Sequence, residues 1–186
     1  MSEQTKKLAI LFADISGSSA LYEKMGDQIA RQLIARSLLL LQGALITHNG
    51  TLIKTIGDEI LCTFPSAEIA LDAACEMQMA VKTDNQSSTQ PLYIRIGFHF
   101  GEVICVDNDI YGDAVNVAAR IAAITRASQI LTTATVVNTL PSLKKENIRQ
   151  VLRADIKGKQ EQIEIYQVMW EQEDMSSTRI VIAANE

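Results

Sequence analysis

Residues 8–19 read LAILFADISGSS: an apolar run ending in an aspartate, then a Ser/Gly turn. A short continuous apolar stretch bounded by turn residues reads as a buried strand, here Leu8 to Asp14. The turn Ser16-Gly17-Ser18-Ser19 stops it and opens a short helix through Met25, with Ser18 or Ser19 as N-cap and Gly26 as the closing residue.

Working outward, Asp27 to His48 carries Ile29, Leu33, Ile34, Leu38, Leu41 and Leu45 at helical spacing, and Asn49-Gly50 ends it. Its longest unbroken apolar stretches, such as Leu38 to Leu41, are too short to span a bilayer. A hairpin is expected next: Thr51–Ile56, a Gly57-Asp58 turn, and Ile60–Phe64. Ser66 begins a helix through Val81, and the polar run DNQSSTQP (84–91) reads as a loop. Tyr93–Phe100 alternates as a strand, and a second strand after Gly101 ends near Val106. Gly112–Arg126 is helical, short pieces fill Gln129–Leu140, and Ile148–Ile156 with Ile163–Trp170 form a terminal hairpin around Lys157-Gly158-Lys159. Hairpins interleaved with helices imply an α+β class: a ferredoxin-like core sheet with flanking helices packed on one face.

The chain has 186 residues, of which 47% are hydrophobic and 21% charged. That is one domain, able to bury roughly 70% of its unfolded surface without a disulfide or metal staple. The expected domain is 1–170; the stretch 171–186, which opens acidic and polar as EQEDMSST, reads as a linker or tail leading toward a regulatory module. A net charge of -5 excludes a broad nucleic-acid footprint, so an anionic ligand needs a few local donors. Cys62, Cys75 and Cys105 have no zinc spacing and suit a reduced, cytoplasmic setting as small core hydrophobes. The polar residues 1–7 give no signal peptide.

Asp14 ends the first strand and Asp58 sits in the following hairpin turn. Aspartates are ordinary turn residues. Adjacent antiparallel strands would nonetheless bring these two to one sheet edge, where like charges repel unless a cation lies between them. Hard carboxylate oxygens suit magnesium or manganese carried with nucleotide phosphates. The SGSS turn offers successive backbone N–H groups to an anion, although such turns cap many helices. Asn116 and Arg120 stand four apart on one helix face among alanines and valines. An arginine there either reaches solvent or grips phosphate, with asparagine orienting a hydroxyl.

Five motifs in order, LFADISGSS, IKTIGDEIL, RIGFHFGEV, DIYGDAVNVAAR and IKGKQEQIEIYQV, resemble the class III nucleotidyl cyclase catalytic domain of the adenylate and guanylate cyclase type. The resemblance covers about residues 6–170 and implies the site position by position. Asp14 and Asp58 match the metal-binding aspartates, with the Ile15 carbonyl completing one ion's shell; two divalent cations, Mg2+ or Mn2+, are implied. Lys54 and Asp109 match the purine-reading pair. Guanylate-type members carry glutamate and cysteine there, so lysine with aspartate points to ATP over GTP. Asn116 and Arg120 match the transition-state pair, Lys157 holds the terminal phosphates, and Ser16, Gly17 and Ser18 line the phosphate turn.

The implied reaction is in-line attack of the ribose 3′-hydroxyl on the α-phosphate, giving 3′,5′-cyclic AMP and pyrophosphate for intracellular signalling. The metal aspartates and the remaining groups come from opposite subunits in this family, so a homodimer with shared sites is implied. The alternatives are a guanylate or other nucleotidyl cyclase, or a silent nucleotide-binding dimerisation module. Two features depart from the family pattern: Ser18 replaces a common aromatic residue, and the segment Gly101–Asp109 is compact, as in shorter bacterial members.

Overall fold

The computed structural model describes residues 2–155 and 161–171. Its first half runs β1 (Gln4–Ser16), α1 (Ser18–Met25), α2 (Asp27–Thr47), β2 (Thr51–Ile56), β3 (Glu59–Phe64), α3 (Ala67–Gln86) and β4 (Tyr93–Val106). Then come β5 (Asp109–Tyr111), α4 (Asp113–Ile124), β6 (Ile130–Thr133), α5 (Ala134–Thr139), α6 (Ser142–Lys145), β7 (Ile148–Asp155) and β8 (Gln162–Val168). One sheet is ordered β2-β3-β1-β4-β6-β8-β7, with β5 paired to β4. β1 lies antiparallel to both β3 and β4. Helical crossovers join β1 to β2 and β3 to β4, so the first four strands have the ferredoxin-like arrangement expected.

β1 is central, and its unbroken apolar run has a reason: both of its faces are buried. Ala9, Leu11, Ala13 and Ile15 join the large core with α2 and α3, while Ile10 and Phe12 belong to a second core with Ala114, Ala118 and Ala122 of α4. The expectation of helices on one face is therefore amended, because α4 covers the other. It lies almost on the backbone of β4. A Cβ at Gly97 would stand 2.4 Å from the Ala122 nitrogen, and one at Gly101 would stand 2.9 Å from the Ala114 Cβ. Two glycines four residues apart thus seat an alanine-rich helix at a fixed height.

Several boundaries differ from the sequence reading. β4 continues through Gly101 as a single strand. α3 runs past Val81 to Gln86, because polar residues at its end have partners. Arg36 donates to Asp84 at 2.6 and 3.0 Å, and the Asn85 amide brackets the Leu92 backbone at 2.7 and 3.0 Å. Gly17 with φ +74, and neither Ser18 nor Ser19, is the N-cap of α1. α4 stops at Ile124, which leaves Arg126 in the following turn. α3 opens at Ser66 as expected, and the Ser66 hydroxyl caps it by accepting from the Ile69 N–H at 3.2 Å.

α2 is, among the described residues, the one helix long and apolar enough to cross a membrane by length and composition. Here Ala30, Ile34, Leu41, Ala44 and Leu45 bury one face in the core. Cys62 is buried, and all three cysteines are free thiols. Burial pushes the Cys62 thiol far up, and the Cys75 thiol up to about 11, which keeps both protonated and unreactive at neutral pH.

Candidate active site

β1 and β3 pair so that Asp14 stands opposite Glu59, the residue after Asp58. The two-residue Gly57-Asp58 turn, with Gly57 at φ +62, thereby delivers its carboxylate beside the end of β1. Asp14 and Asp58 then line one cleft of about 470 Å3 with Ile15, Ser16, Gly17, Ser18 and Ser19. Arg95, Thr125, Arg126 and Ala127 complete its wall.

Burial raises the Asp14 pKa above the ordinary aspartate value. The neighbouring Asp58 charge adds to the rise, and hydrogen bonds from Arg95 oppose it. Arg95 donates to Asp14 Oδ2 from Nε at 2.9 Å and from Nη2 at 2.7 Å. Burial and the Asp14 charge raise Glu59 as well. Asp58 Oδ2 and Ser16 Oγ are buried with no hydrogen-bond partner. Unpaired buried oxygens are costly in a finished fold. A carboxylate oxygen orphaned beside a second carboxylate fits a hard divalent cation. Ile15 is 2% exposed, its side chain committed to the core, so its main-chain oxygen is what it can add. Among the described residues no three His, Cys, Asp or Glu side chains cluster as a metal site. A cation held here would take its remaining oxygens from main chain, water and substrate, as magnesium does.

Lys54 on β2 and Asp109 on β5 are brought together. The Lys54 Nζ donates to Oδ2 at 2.9 Å and to Oδ1 at 3.2 Å. That bond, followed by one from the Ile110 N–H, holds the Asp109 pKa below the ordinary value. Asn116 and Arg120 project from the exposed side of α4, opposite the buried Ala114, Val117, Ala118 and Ile121. Arg120 lines a different cleft, with Val117, Ile121, Asp155 and Ile163. The structure thus assembles the aspartates with the Ser16–Ser18 turn, and the lysine with its aspartate, while placing the α4 pair elsewhere. Lys157 lies outside the described residues.

Sequence reading missed Arg95 and Arg126. A lone charge inside the alternating run Tyr93–Phe100 is the signal that points to Arg95, but its partner follows only from the β1–β4 register. Arg126 gives no signal, since it reads as the last residue of a helix.

The family model for the adenylate and guanylate cyclase catalytic domain matches residues 1–170. An adenylate cyclase of Anabaena cylindrica is 32% identical over 185 residues, covering 88% of this chain and 37% of its own length. This chain therefore spans little more than a third of that curated relative. A solved adenylate/guanylate cyclase/hydrolase from Silicibacter pomeroyi superimposes with a TM-score of 0.80 at 29% identity, over 90% of this chain and 98% of that one. The adenylyl cyclase CyaB from P. aeruginosa gives a TM-score of 0.76 at 26% identity, over 94% and 100%.

Proposed function

Because the chain belongs to the adenylate and guanylate cyclase catalytic domain family, we propose that it is an adenylate cyclase, forming 3′,5′-cyclic AMP and pyrophosphate from ATP. The observation that carries this reading is the single cleft that joins two facing carboxylates, one with an orphaned oxygen, to a Gly17-centred turn and two arginines. Such a cleft suits a metal–triphosphate complex better than any neutral ligand.

Asp14 and Asp58, with the Ile15 carbonyl, are the residues that would hold divalent cations, Mg2+ or Mn2+. When bound, such ions make a ribose hydroxyl easier to deprotonate and neutralise charge on a phosphate. The Ser16-Gly17-Ser18 backbone turns its N–H groups toward phosphate oxygens. Lys54 donates to adenine N1 and Asp109 accepts from the 6-amino group, which selects ATP over GTP. Arg120 offers preorganised positive charge to the α-phosphoryl oxygens as the 3′-hydroxyl attacks, and Asn116 orients the ribose. Lys157 retains the leaving pyrophosphate.

The working unit in this reading is a homodimer. Arg120 opens on a cleft other than that of Asp14 and Asp58 in its own chain, so a second copy supplies the α4 face to each metal cleft. Residues 1–170 form the catalytic unit, 171–186 lie beyond it, and the reaction belongs in the cytoplasm with the nucleotide pool. The deciding experiment incubates purified protein with the four nucleoside triphosphates and manganese and identifies products by mass spectrometry. Cyclic AMP as the main product supports the assignment. Mainly cyclic GMP would overturn the base reading, and no cyclic nucleotide from active-folded dimer would leave a binding module.

A further inference from the structure

Resting on the cyclase reading, we propose that Arg126 anchors the triphosphate from the same chain that supplies Asp14 and Asp58, and that Trp170 holds the turn that aims it. A nucleoside triphosphate brings a dense negative charge into a cleft that already contains two carboxylates, on a chain of net charge -5. Arg95 offsets only part of this, because its Nε and Nη2 already donate to Asp14. Arg126 lines the same cleft. Its guanidinium has no ion-pair or hydrogen-bond partner among the described residues, whereas arginine is suited to bidentate phosphate contact.

An exposed arginine on a loose loop would be an ordinary solvated charge. The 125–129 turn is not loose. The Arg126 N–H donates to Gln129 Oε1 at 3.0 Å, and the Gln129 N–H returns to the Arg126 carbonyl at 3.0 Å. Ser128, at φ +64, donates its N–H to the Ile94 carbonyl at 2.8 Å. The buried Gln78 amide reaches the Gln129 carbonyl at 3.1 Å, and the Trp170 indole N–H reaches the Ser128 carbonyl at 2.7 Å. Thr125 is fixed by its hydroxyl, which donates to the Ile121 carbonyl at 2.7 Å. Arg126 is therefore an exposed side chain on a fixed base, so little backbone entropy is lost when it closes on an anion. Trp170 touches no part of the cleft and acts as a positioning residue through Ser128.

Calorimetric titration of the full chain with manganese tripolyphosphate, with α,β-methylene-ATP and with AMP tests this. Arg126→Gln should weaken the first two about five- to tenfold, as loss of one charge contact does, and leave AMP unchanged. Arg126→Lys should restore part of the loss, and the KM for ATP should rise while kcat changes less than about twofold. Trp170→Phe keeps an aromatic ring but deletes the N–H; it should weaken tripolyphosphate about two- to threefold at unchanged AMP affinity. In the wild type, tripolyphosphate should also alter the fluorescence of Trp170, the one tryptophan in the chain. Wild-type-like tripolyphosphate binding by Arg126→Gln, or an equal loss for AMP, overturns the anchoring role. Unchanged affinity in Trp170→Phe overturns the positioning role. Failure of the wild type to bind either phosphate probe overturns the cyclase reading, and this proposal with it.

Discussion

Arg95 stands directly across the β1–β4 pairing from Asp14, and its guanidinium closes on one carboxylate oxygen, Oδ2, at 2.7 and 2.9 Å. The other oxygen is left outside that grip. An internal cation thus balances part of the charge that a metal would otherwise balance, and the metal-free protein is kept from holding two unopposed carboxylates.

Even so, Asp14 retains a raised pKa, with burial as the largest cause. The folded chain keeps this proton to higher pH than the unfolded chain does. Stability contributed by the protonated form is therefore full below the ordinary aspartate value and is lost as pH rises through the raised one. In metal-free buffer, Asp14→Asn should raise Tm at pH 7, with the gain vanishing below about pH 4. Thermal melts from pH 3.5 to 8 check this; a gain that persists at the acid end would assign it to something other than titration.

Asp58 carries the orphaned buried oxygen, and in the proposed function Arg120 supplies the charge offered to the α-phosphoryl group. Asp58→Ala and Arg120→Ala should each lower kcat by about a hundredfold to a thousandfold, the usual cost of deleting a preorganised electrostatic partner. Steady-state rates of cyclic AMP formation provide the measure. Manganese titration separates the two, since only the Asp58 variant should lose affinity for the ion.

Mixing those two impaired variants tests the proposed shared site. Random exchange places half of the chains in mixed dimers, and each mixed dimer rebuilds one intact site of its two. Activity should recover to about one quarter of wild type. Recovery near zero after proven subunit exchange would place both residues in one chain's site.

Lys54 and Asp109 are both partly exposed, so their ion pair adds little to stability. Lys54→Glu combined with Asp109→Cys should leave Tm within about 2 °C of wild type and move preference from ATP toward GTP. Competition between the two triphosphates reads the shift, and unchanged preference would remove the base-reading role from this pair.

Gly97→Ala puts a carbon 2.4 Å from the Ala122 nitrogen, which only movement of α4 relieves. Overpacking of this kind costs about 1–3 kcal/mol, or roughly 3–10 °C in Tm at this size. Activity measured well below the melting range should fall further than the lost folded fraction explains, because the displaced helix carries Asn116 and Arg120. Equal losses would make the contact a matter of stability alone.

Local signals carried the elements well. The apolar run before Asp14, the Asn49-Gly50 stop, the Gly57-Asp58 turn and the Ser66 cap each depend on residues near in sequence, and each appears where local chemistry puts it. What stayed illegible depends on partners far along the chain. The Arg95–Asp14 bond needs the strand register, and the end of α3 needs Arg36, 48 residues away from Asp84. The placement of α4 needs a pair of glycines whose meaning is a missing carbon. Arg126 could not be separated from its helix, since the break at Thr125 has no glycine or proline to announce it.

The Lys54–Asp109 ion pair has a consequence for inhibition. If this pair reads the base as proposed, an arriving base does not fill an empty recognition site; it exchanges partners with a contact that is already made. Free adenine or adenosine gains little from such an exchange, and the drive for binding must come from the phosphate end of the ligand. Selectivity for the base and strength of binding are then set at opposite ends of one molecule. Compounds that imitate only the purine should be weak ligands for this protein, however faithfully they copy its edge.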